Sequence, residues 1–457
     1  MQLDSMEKQE KRGGSKLAGV LLGLAALVVV GLAAAFFILC EMEAPKIVMK
    51  GDIAKIGAAK QMAIEVTDGK SGLRSITVEV VQGDKKATVL TKEFPRQATV
   101  SGAGPAKAEE AFEVAAKELG LKEGEAQLIV TVADFSYWNL GRGNVVANAW
   151  PVSIDFRPPA LSVVESPQYI KAGGAGVVVY RIGEKVERHG VMINDTFYAG
   201  FPLPKRGEGV YGATIGLPFN TEKLDKSFVV ATDLAGNQAK SPFGMLLHKR
   251  VIPTDQITIS DGFLEAKLPE FATHYPELSG TPVEQYLKVN NDIRKANNAK
   301  IQEVASVITP ERLWDGRFDR MEGSPRARYA DHRSYLYNGE KIDEQVHLGV
   351  DIAALQHFEV RAANRGTVVF ADYLGIYGNT VILDHGQGIF SLYSHLSQIS
   401  AAPGALLDKG VVLGLSGTTG MAGGDHLHFS MLVNGVFVDP VEWWDPEWLK
   451  LHMLSVL

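Results

Sequence analysis

The sequence predicts a mainly β protein with one long apolar helix near its N-terminus. Short alternating apolar runs, separated by turns rich in glycine, asparagine and aspartate, recur over residues 44–252 and again after residue 310. One uncharged stretch, residues 17–40, is long enough for a spanning helix. A length of 457 residues and a hydrophobic content of 46% suit two to four globular domains.

Charge and cysteine content narrow the classes of partner. The net charge is -7, and no basic stripe interrupts the sequence. These features argue against a nucleic-acid partner. Cys40 is the single cysteine, so no intramolecular disulfide can form, and the redox compartment stays open.

The apolar stretch 17–40 predicts a membrane anchor. As a helix, its 24 residues would be roughly 36 Å long, enough to cross a bilayer. Four basic residues precede it, namely Lys8, Lys11, Arg12 and Lys16. Glu41 and Glu43 follow it, so the charge bias places the N-terminus in the cytoplasm and the rest of the chain outside. A cleaved signal peptide and a lipoprotein modified at Cys40 are the alternatives.

Two β-sandwich modules are predicted next, at 44–158 and 159–252. The segments 130–144 (VTVADFSYWNLGRGN) and 229–239 (VVATDLAGNQA) share a strand, an aspartate, a turn and a Gly-Asn pair. This pattern resembles the tandem immunoglobulin-like modules of bacterial surface and periplasmic proteins. We expect them to act as a spacer or as a docking scaffold for cell-wall enzymes or scaffold proteins. A short helix is predicted at 109–119.

Residues 253–311 predict a helical connector. Thr281-Pro282-Val283-Glu284 forms a capping box with proline at the first helical position. The helix is expected to run from residue 282 to about 308, before Thr309-Pro310. Packing against the neighbouring domain is its expected role, and a regulatory lid is the alternative.

Histidines concentrate near the C-terminus, where eight of the eleven follow residue 331. His347 and Asp351 lie four residues apart in H-L-G-V-D, and His395 ends Y-S-H. His426 and His428 flank one leucine, so on a strand they share a face. Imidazole and carboxylate at these spacings suit a Zn²⁺ site, and three ligands with an open position favour hydrolysis over a closed structural site.

These motifs carry a family resemblance. The segments HLGVDIAA, YSHLS and SGTTGMAGGDHLHF resemble, in order, the LytM-type or M23 metallopeptidases, which cut the peptide bridges of peptidoglycan. The resemblance implies that Zn²⁺ is bound by His347, Asp351 and His428, and that His395 and His426 are the catalytic pair. One of the pair would accept a proton from water and the other would stabilise the oxyanion, with the assignment left open.

One departure from the family pattern lies ahead of the first ligand. Relatives often carry F-G-x-R there, whereas this chain has Tyr329-Ala330-Asp331-His332-Arg333, without the glycine. His385 is predicted to be structural, and His332, His357 and His452 are predicted to lie at the surface. Tyr377, Asn379 and Tyr393 are predicted to line the cleft or to pack in the core. Trp443, Trp444 and Trp448 are predicted to pack on the domain or to form a sugar-binding platform.

We therefore predict a single-pass inner-membrane protein whose zinc endopeptidase domain cleaves the peptide stems of peptidoglycan in the periplasm. One alternative is a non-catalytic regulator that activates a cell-wall amidase. Another is a latent enzyme whose groove is covered by the connector or a β-module. The predicted order is a cytoplasmic tail at 1–16, a transmembrane helix at 17–40, β-modules at 44–158 and 159–252, a helical connector at 253–311 and the peptidase domain at 312–457.

Overall fold

The structure is a computed structural model that describes residues 7–99 and 101–457. The fold is mainly β with an N-terminal apolar helix, as the sequence predicts. The chain divides into two compact units. The first comprises the described residues up to Pro158 together with Asp233–Asn237, and the second comprises Pro159–Thr232 and Gln238–Leu457.

The N-terminal helix runs from Glu7 to Leu39. Its segment Gly19–Phe36 has a mean hydropathy of 2.6 and buries none of its residues in the protein. Among the described residues, this is the one helix long and apolar enough to cross a membrane. Residues 1–6 of the predicted tail lie outside the described residues, and residues 7–16 are part of the helix.

The first unit contains two sheets around one hydrophobic core. The three-stranded sheet has the order Lys46–Lys50, Lys60–Thr67, Lys107–Val114. The five-stranded sheet has the order Lys55–Ile56, Val145–Ile154, Gly124–Asp134, Leu73–Gln82, Lys85–Glu93. Ile64, Val78 and Val130 are fully buried between them. Buried and partly exposed residues alternate along the strands, as expected where one face of a sheet covers a core.

The helix predicted at 109–119 is wrong. Lys107–Val114 is a strand, paired antiparallel with Lys60–Thr67 along its whole length. Phe112 and Val114 are buried, with the two-residue period of a strand. Glutamate and alanine favour a helix locally, but burial of this face and the pairing outweigh that preference.

The two turn motifs that the sequence relates have the same hydrogen bonds. Asp134 Oδ1 accepts from the amide of Asn144 at 2.7 Å, and Asp134 Oδ2 accepts from the Asn144 side chain at 2.8 Å. Asp233 bonds Asn237 in the same way, at 2.8 and 3.0 Å. Each asparagine also donates to a carbonyl far upstream, that of Glu41 in one case and Asp155 in the other. The sequence repeat therefore corresponds to a repeated turn.

The second unit begins with a β-module that again has two four-stranded sheets. One has the order Phe201–Pro202, Val210–Gly216, Ala175–Ile182, Leu161–Glu165. The other has the order Thr196–Ala199, Val186–Ile193, Ser227–Asp233, Gln238–Pro242. A short parallel pair, Tyr169–Lys171 with Leu246–His248, lies beside them.

A segment of one strand and several helices follows. Thr254–Thr258 pairs in parallel with His332–Tyr337, which pairs with Glu340–Val346. Asp261–His274 is a helix capped by Ser260, which the sequence did not predict. The capping box at Thr281 is present, and the helical path beyond it comprises Pro282–Lys288, a π-helical turn at Val289–Ile293, and Arg294–Val304.

The C-terminal domain is built on an eight-stranded sheet. Its order is Ser324–Ala327, Val350–Ala353, Leu427–Val433, Ile389–Leu396, Asn379–Asp384, Gly366–Tyr373, Leu406–Leu407, with Val436–Val438 paired to Leu427–Val433. A smaller sheet has the order Glu359–Arg361, Val412–Leu415, Gln398–Ile399. The chain closes with short helices at Pro440–Trp444, Pro446–Leu449 and Lys450–Leu454.

The C-terminal domain and the β-module at 159–252 share one hydrophobic core. Gly216 lies so close to Val433 and Val438 that an added Cβ would be 2.8 Å from Val438. Arg250 pairs with Asp439 at 2.8 Å, with both side chains largely buried. These two parts of the sequence are therefore packed as a single compact unit, which holds the candidate site described next.

Candidate metal centre and catalytic site

Strand register brings the candidate residues together. Asp351 lies directly opposite His428 on the neighbouring strand, and Ser394, which precedes His395, lies opposite His428 on its other side. His347 precedes the strand Val350–Ala353. Residues that lie up to 81 positions apart in the sequence thus meet at one edge of the central strands.

Three candidate ligand atoms converge to hydrogen-bond distance. His347 Nε2 lies 2.9 Å from Asp351 Oδ1 and 2.9 Å from His428 Nδ1. The distance from His428 Nδ1 to Asp351 Oδ1 is 3.0 Å. All three residues are buried. The structure therefore brings together His347, Asp351 and His428, the set expected to hold zinc.

Hydrogen bonds behind the two imidazoles decide which nitrogens carry protons. His347 Nδ1 lies 2.9 Å from the carbonyl oxygen of Arg328, which can only accept, so this nitrogen donates. Ser430 Oγ donates to the carbonyl of Leu348, and therefore accepts from His428 Nε2 at 3.0 Å. The inward nitrogens, Nε2 of His347 and Nδ1 of His428, are therefore the ones that carry a lone pair whenever the rings are neutral.

The centre of this cluster requires a positive charge. If both rings were neutral, two lone pairs and one carboxylate oxygen would lie about 3 Å apart in a buried site, which is repulsive, so the centre is stabilised by a proton or by a metal ion. Two imidazole nitrogens and one carboxylate oxygen are a preferred donor set for Zn²⁺ when a further position stays open. The three residues therefore fit a zinc ion.

Asp351 is held as a carboxylate by its surroundings. Burial would raise its pKa, but the imidazoles of His347 and His428 outweigh burial and keep the pKa well below the usual value. Arg333 donates from Nη2 to Asp351 Oδ2 at 2.9 Å, leaving Oδ1 to face the two histidines. The carboxyl group is thus ionised at neutral pH and presents one oxygen to the centre.

His395 is buried and fixed in one tautomer. Its Nδ1 donates to the carbonyl oxygen of Thr419 at 2.8 Å, so Nε2 carries the lone pair. Burial, together with the neighbouring imidazoles of His426 and His428, lowers its pKa well below the usual value. The backbone of His395 has a φ of 62°, a left-handed conformation that is rare outside glycine.

His426 lies on the more open side of the site. Its Nδ1 donates to the carbonyl oxygen of Gly424 at 2.8 Å, so its Nε2 also carries a lone pair. That Nε2 is 3.6 Å from Asp351 Oδ1, and its side chain is 14% exposed. The ring centroids of His395 and His426 are 4.8 Å apart. The site therefore presents two further basic nitrogens beside the three convergent ligands.

These residues face a cleft of about 890 Å³. His347, Asp351, His395, His426 and His428 line its floor. One wall comes from the strand Thr254–Thr258, the helix Asp261–His274 and the segment around Arg326 and Arg333. Among the lining residues, the cations outside the histidines are Lys267, Arg294, Arg326 and Arg333, and the carboxylates are Asp255 and Asp351.

Burial lowers the pKa of His385 and that of His428 to about 4. His428 is one of the three convergent residues. His385 hydrogen-bonds the carbonyl of Arg365 and the hydroxyl of Ser391, both at 2.7 Å, which is the structural role predicted for it. His332 and His357 are exposed, and His452 is partly buried.

The predicted aromatic and amide positions divide between cleft and core. Tyr377 lines the cleft, and its ring packs edge-on against His428 at 5.6 Å. Asn379 binds the carbonyl of Leu396 instead of facing the cleft. Tyr393 is buried, with its hydroxyl on the amide of Ala363. Trp443 is fully buried against Trp314 and Phe318, which excludes it from a sugar platform.

The loop at position 330 adopts a conformation that suits glycine, although the residue is alanine. Ala330 has a φ of 67°, the left-handed conformation that glycine adopts most easily. Hydrogen bonds in both directions between Ala330, Asp331 and His347 hold this conformation, at 2.7 and 3.0 Å. The loop therefore still presents His347 to the centre.

Sequence reasoning missed three contributors to the site. Arg333 was noted for its motif, but its bond to Asp351 joins residues on different strands and leaves no sequence signal. Lys267 and Glu270 lie on the helix Asp261–His274. A signal for that helix exists in Ser260 as an N-cap and in buried Leu264, Leu268 and Phe271 at helical spacing.

A sheet that presents a histidine–aspartate–histidine set beside two further histidines is characteristic of metallopeptidases. Residues 345–440 match the model of peptidase family M23. The chain therefore contains a peptidase M23 domain over these residues.

Curated relatives match over the same domain. DD-carboxypeptidase/endopeptidase Mpg of Neisseria meningitidis is 42% identical over 97 residues, which cover 21% of this chain and 22% of the relative. Peptidoglycan DD-endopeptidase ShyA of Vibrio cholerae is 36% identical, over 20% and 21%. Murein hydrolase activator EnvC of Escherichia coli is 32% identical, over 23% and 25%. The chain thus spans about a fifth to a quarter of the length of these relatives.

Two solved structures are also similar to this chain. The catalytic domain of lysostaphin from Staphylococcus simulans is 28% identical, with a TM-score of 0.24, and the match covers 27% of this chain and 92% of that one. A peptidase M23 structure from Pseudomonas aeruginosa is 21% identical, with a TM-score of 0.36, over 60% and 94%.

Proposed function

We propose that this protein is a zinc-dependent endopeptidase that cleaves peptide cross-links of bacterial peptidoglycan. The observation that carries the proposal is the complete five-residue set, His347, Asp351, His395, His426 and His428, gathered on one cleft floor. The relatives named peptidoglycan endopeptidases support the substrate class.

His347, Asp351 and His428 would hold the zinc ion. When bound, zinc would supply Lewis acidity toward a water molecule and toward the scissile carbonyl. Arg333 fixes the orientation of the Asp351 carboxylate. The carbonyl of Arg328 and the hydroxyl of Ser430 fix the tautomers of His347 and His428. Outer hydrogen bonds of this kind orient metal ligands in proteins.

His395 and His426 would handle the proton transfer. Each donates from Nδ1 to a main-chain carbonyl and keeps a lone pair on Nε2. One ring would accept the proton of the attacking water on Nε2 and pass it to the leaving amine, and the other, when it carries a proton on Nε2, would stabilise the oxyanion. The assignment between the two rings stays open.

The charge of the cleft supports an anionic substrate. Four cationic side chains line it against two carboxylates, and one of these carboxylates, Asp351, belongs to the candidate ligand set. Peptide stems with free carboxylates suit such a lining, because complementary charge raises encounter rates and orients the partner.

The junction after the apolar helix supports a retained anchor and a periplasmic domain. Glu41 is 7% exposed, and its carbonyl accepts from Ser136 and Asn144 at 2.8 and 2.9 Å. A retained helix would therefore be tied to the first β-module within two residues of its end.

A second candidate function is that of a regulator that activates a cell-wall amidase. The observation in its favour is the similarity to a relative named murein hydrolase activator. A regulator of that kind would act without the metal ligands.

One experiment separates the two functions. The full chain, solubilised in detergent, is incubated with purified sacculi with and without a zinc chelator, and released muropeptides are identified by mass spectrometry. The enzyme proposal expects chelator-sensitive loss of cross-linked dimers. Intact cross-links, together with stimulation of an added amidase by both the protein and its His347→Ala variant, would instead establish the regulator.

A further inference from the structure

We propose that the helix Asp261–His274 positions the candidate catalytic residue His395, and that Lys267 and Glu270 are its positioning residues. The helix lies outside residues 345–440, the part of the chain that matches the family. The kinetic test of this inference rests on the proposed function. Its spectroscopic test depends only on the hydrogen bonds of His395 and the neighbouring loop.

Two side chains of this helix form hydrogen bonds to one loop of the peptidase domain, residues 418–420. Glu270 Oε1 accepts from the amide of Gly420 at 2.5 Å. Lys267 Nζ donates to the carbonyl of Thr418. The two side chains are three residues apart and therefore on one face of the helix. Their exposed fractions are 12% for Lys267 and 26% for Glu270, so solvent competes weakly for these bonds.

Thr419, the residue between these two contacts, orients the catalytic imidazole. Its carbonyl oxygen accepts from His395 Nδ1 at 2.8 Å. This bond keeps the proton on Nδ1 and directs the lone pair of Nε2 into the cleft. A shift of the loop would therefore change both the tilt and the tautomer of His395.

The same loop is bonded directly to the strand that carries His395. Gly420 has a φ of 66°, and an added Cβ would lie 2.4 Å from the amide nitrogen of Gly378. Thr419 Oγ1 donates to the carbonyl of Leu396 and accepts from the amide of Asn379, both at 2.9 Å. The loop thus transmits a displacement of its backbone to the strand that carries His395.

A second helix, Arg294–Val304, contacts the neighbouring loop around Ile376 and Tyr377. Asn297 Oδ1 accepts from the amide of Ile376 at 3.0 Å, and the hydroxyl of Tyr377 donates to Asn298 at 2.8 Å. His274 stacks on Tyr373 with centroids 3.6 Å apart. One loop beside the cleft is therefore attached to the helix Asp261–His274, and the other to the helix Arg294–Val304.

The test compares Glu270→Ala with Glu270→Gln in the full chain. Alanine removes the acceptor for the Gly420 amide, whereas the glutamine amide oxygen can restore it. We expect kcat on a cross-linked muropeptide to fall about tenfold in the alanine variant, with KM and zinc content near those of the wild type. The glutamine variant should recover most of the loss. Glu265→Ala, an exposed position on the same helix, is the matched control.

A second readout does not depend on activity. In ¹⁵N-histidine NMR spectra, the His395 signals, assigned by their absence in His395→Gln, should report a protonated Nδ1 in the wild type and Glu270→Gln. Glu270→Ala should show an exchanging mixture. An unchanged tautomer together with unchanged kcat in Glu270→Ala would overturn the inference. If the wild-type protein leaves cross-links intact, the proposed function is refuted. The tautomer of His395 in Glu270→Ala would then still test the positioning role of the helix.

Discussion

The two walls of the candidate cleft differ in origin and in the role of their residues. The wall formed by residues 345–440 carries the three convergent ligands and both further histidines. The wall formed by residues 254–337 carries Lys267, Arg294, Arg326 and Arg333, and none of the five motif residues. The reactive groups thus reside in short motifs, while the bond that orients Asp351 and the cationic side chains of the cleft other than histidine come from a separate part of the chain.

Removal of a ligand on the first wall should have the largest effect. His428→Ala takes one of the three ligand atoms away, so we expect loss of bound zinc and a fall of about a thousandfold or more in cross-link cleavage. Zinc content is measured by plasma mass spectrometry and cleavage by muropeptide analysis. His357→Asn is the control, because it changes an exposed histidine and asparagine tolerates the φ of 55° there. Full zinc occupancy in His428→Ala would contradict the ligand set.

Loss of the Asp351 partner on the second wall should have the next largest effect. Arg333→Met keeps an apolar stem but removes the bond to Asp351 Oδ2. We expect the zinc dissociation constant to rise about 10- to 100-fold, as for other residues that orient metal ligands. Competition with a fluorescent chelator measures it. Arg328→Met should leave it unchanged, because Arg328 contacts His347 through its main-chain carbonyl. Equal zinc affinity in the two variants would place Arg333 outside the metal centre.

A buried histidine of the C-terminal domain should make stability depend on pH. Burial lowers the pKa of His385 to about 4, whereas an unfolded histidine titrates near 6.5. Between these values the unfolded state binds a proton that the native state does not bind. The free energy of unfolding should therefore fall as the pH falls from 6.5 to 4, by about 1.4 kcal/mol per pH unit from this residue.

Urea unfolding of the wild type and His385→Asn at several pH values isolates that contribution. The variant should show a shallower pH dependence over this window, whatever its stability at neutral pH. Parallel curves would mean that His385 is not kept neutral by burial.

A single cleft charge should have the smallest effect. Arg326 is exposed and lines the second wall. We expect Arg326→Gln to raise KM for an anionic muropeptide about two- to fivefold at low salt, because an exposed ion pair contributes up to about 1 kcal/mol. The difference should vanish in 0.5 M salt, where the screening length is a few ångströms. Arg317→Gln, an exposed change outside this cleft, is the control. A salt-independent effect would point to packing instead of charge.

Features with a local signal or a family motif could be predicted from the sequence, whereas contacts set by tertiary folding could not. The helix after Thr281 was predictable because a capping box is a local signal. His347, Asp351 and His428 were predictable as a group through the family motifs, and the structure brings them together. Their hydrogen-bond partners were not, because Arg328, Arg333 and Ser430 act through pairings set by tertiary folding.

Two elements show why local patterns fail elsewhere. Residues 107–114 favour a helix by composition, yet they form a strand because pairing with Lys60–Thr67 and burial of Phe112 and Val114 decide the outcome. The helix Asp261–His274 contains Pro269 in its interior, which argues against a helix locally. Burial of Leu264, Leu268 and Phe271 compensates, and that burial depends on the rest of the second unit.

A zinc titration of the metal-stripped full chain during digestion of sacculi tests the proposed metal centre directly. Loss of cross-linked dimers should resume with added zinc and saturate at one zinc per chain. Asp351→Ala should not recover at any zinc concentration. Cross-link cleavage by the stripped protein, or equal recovery by Asp351→Ala, would contradict the proposed metal centre.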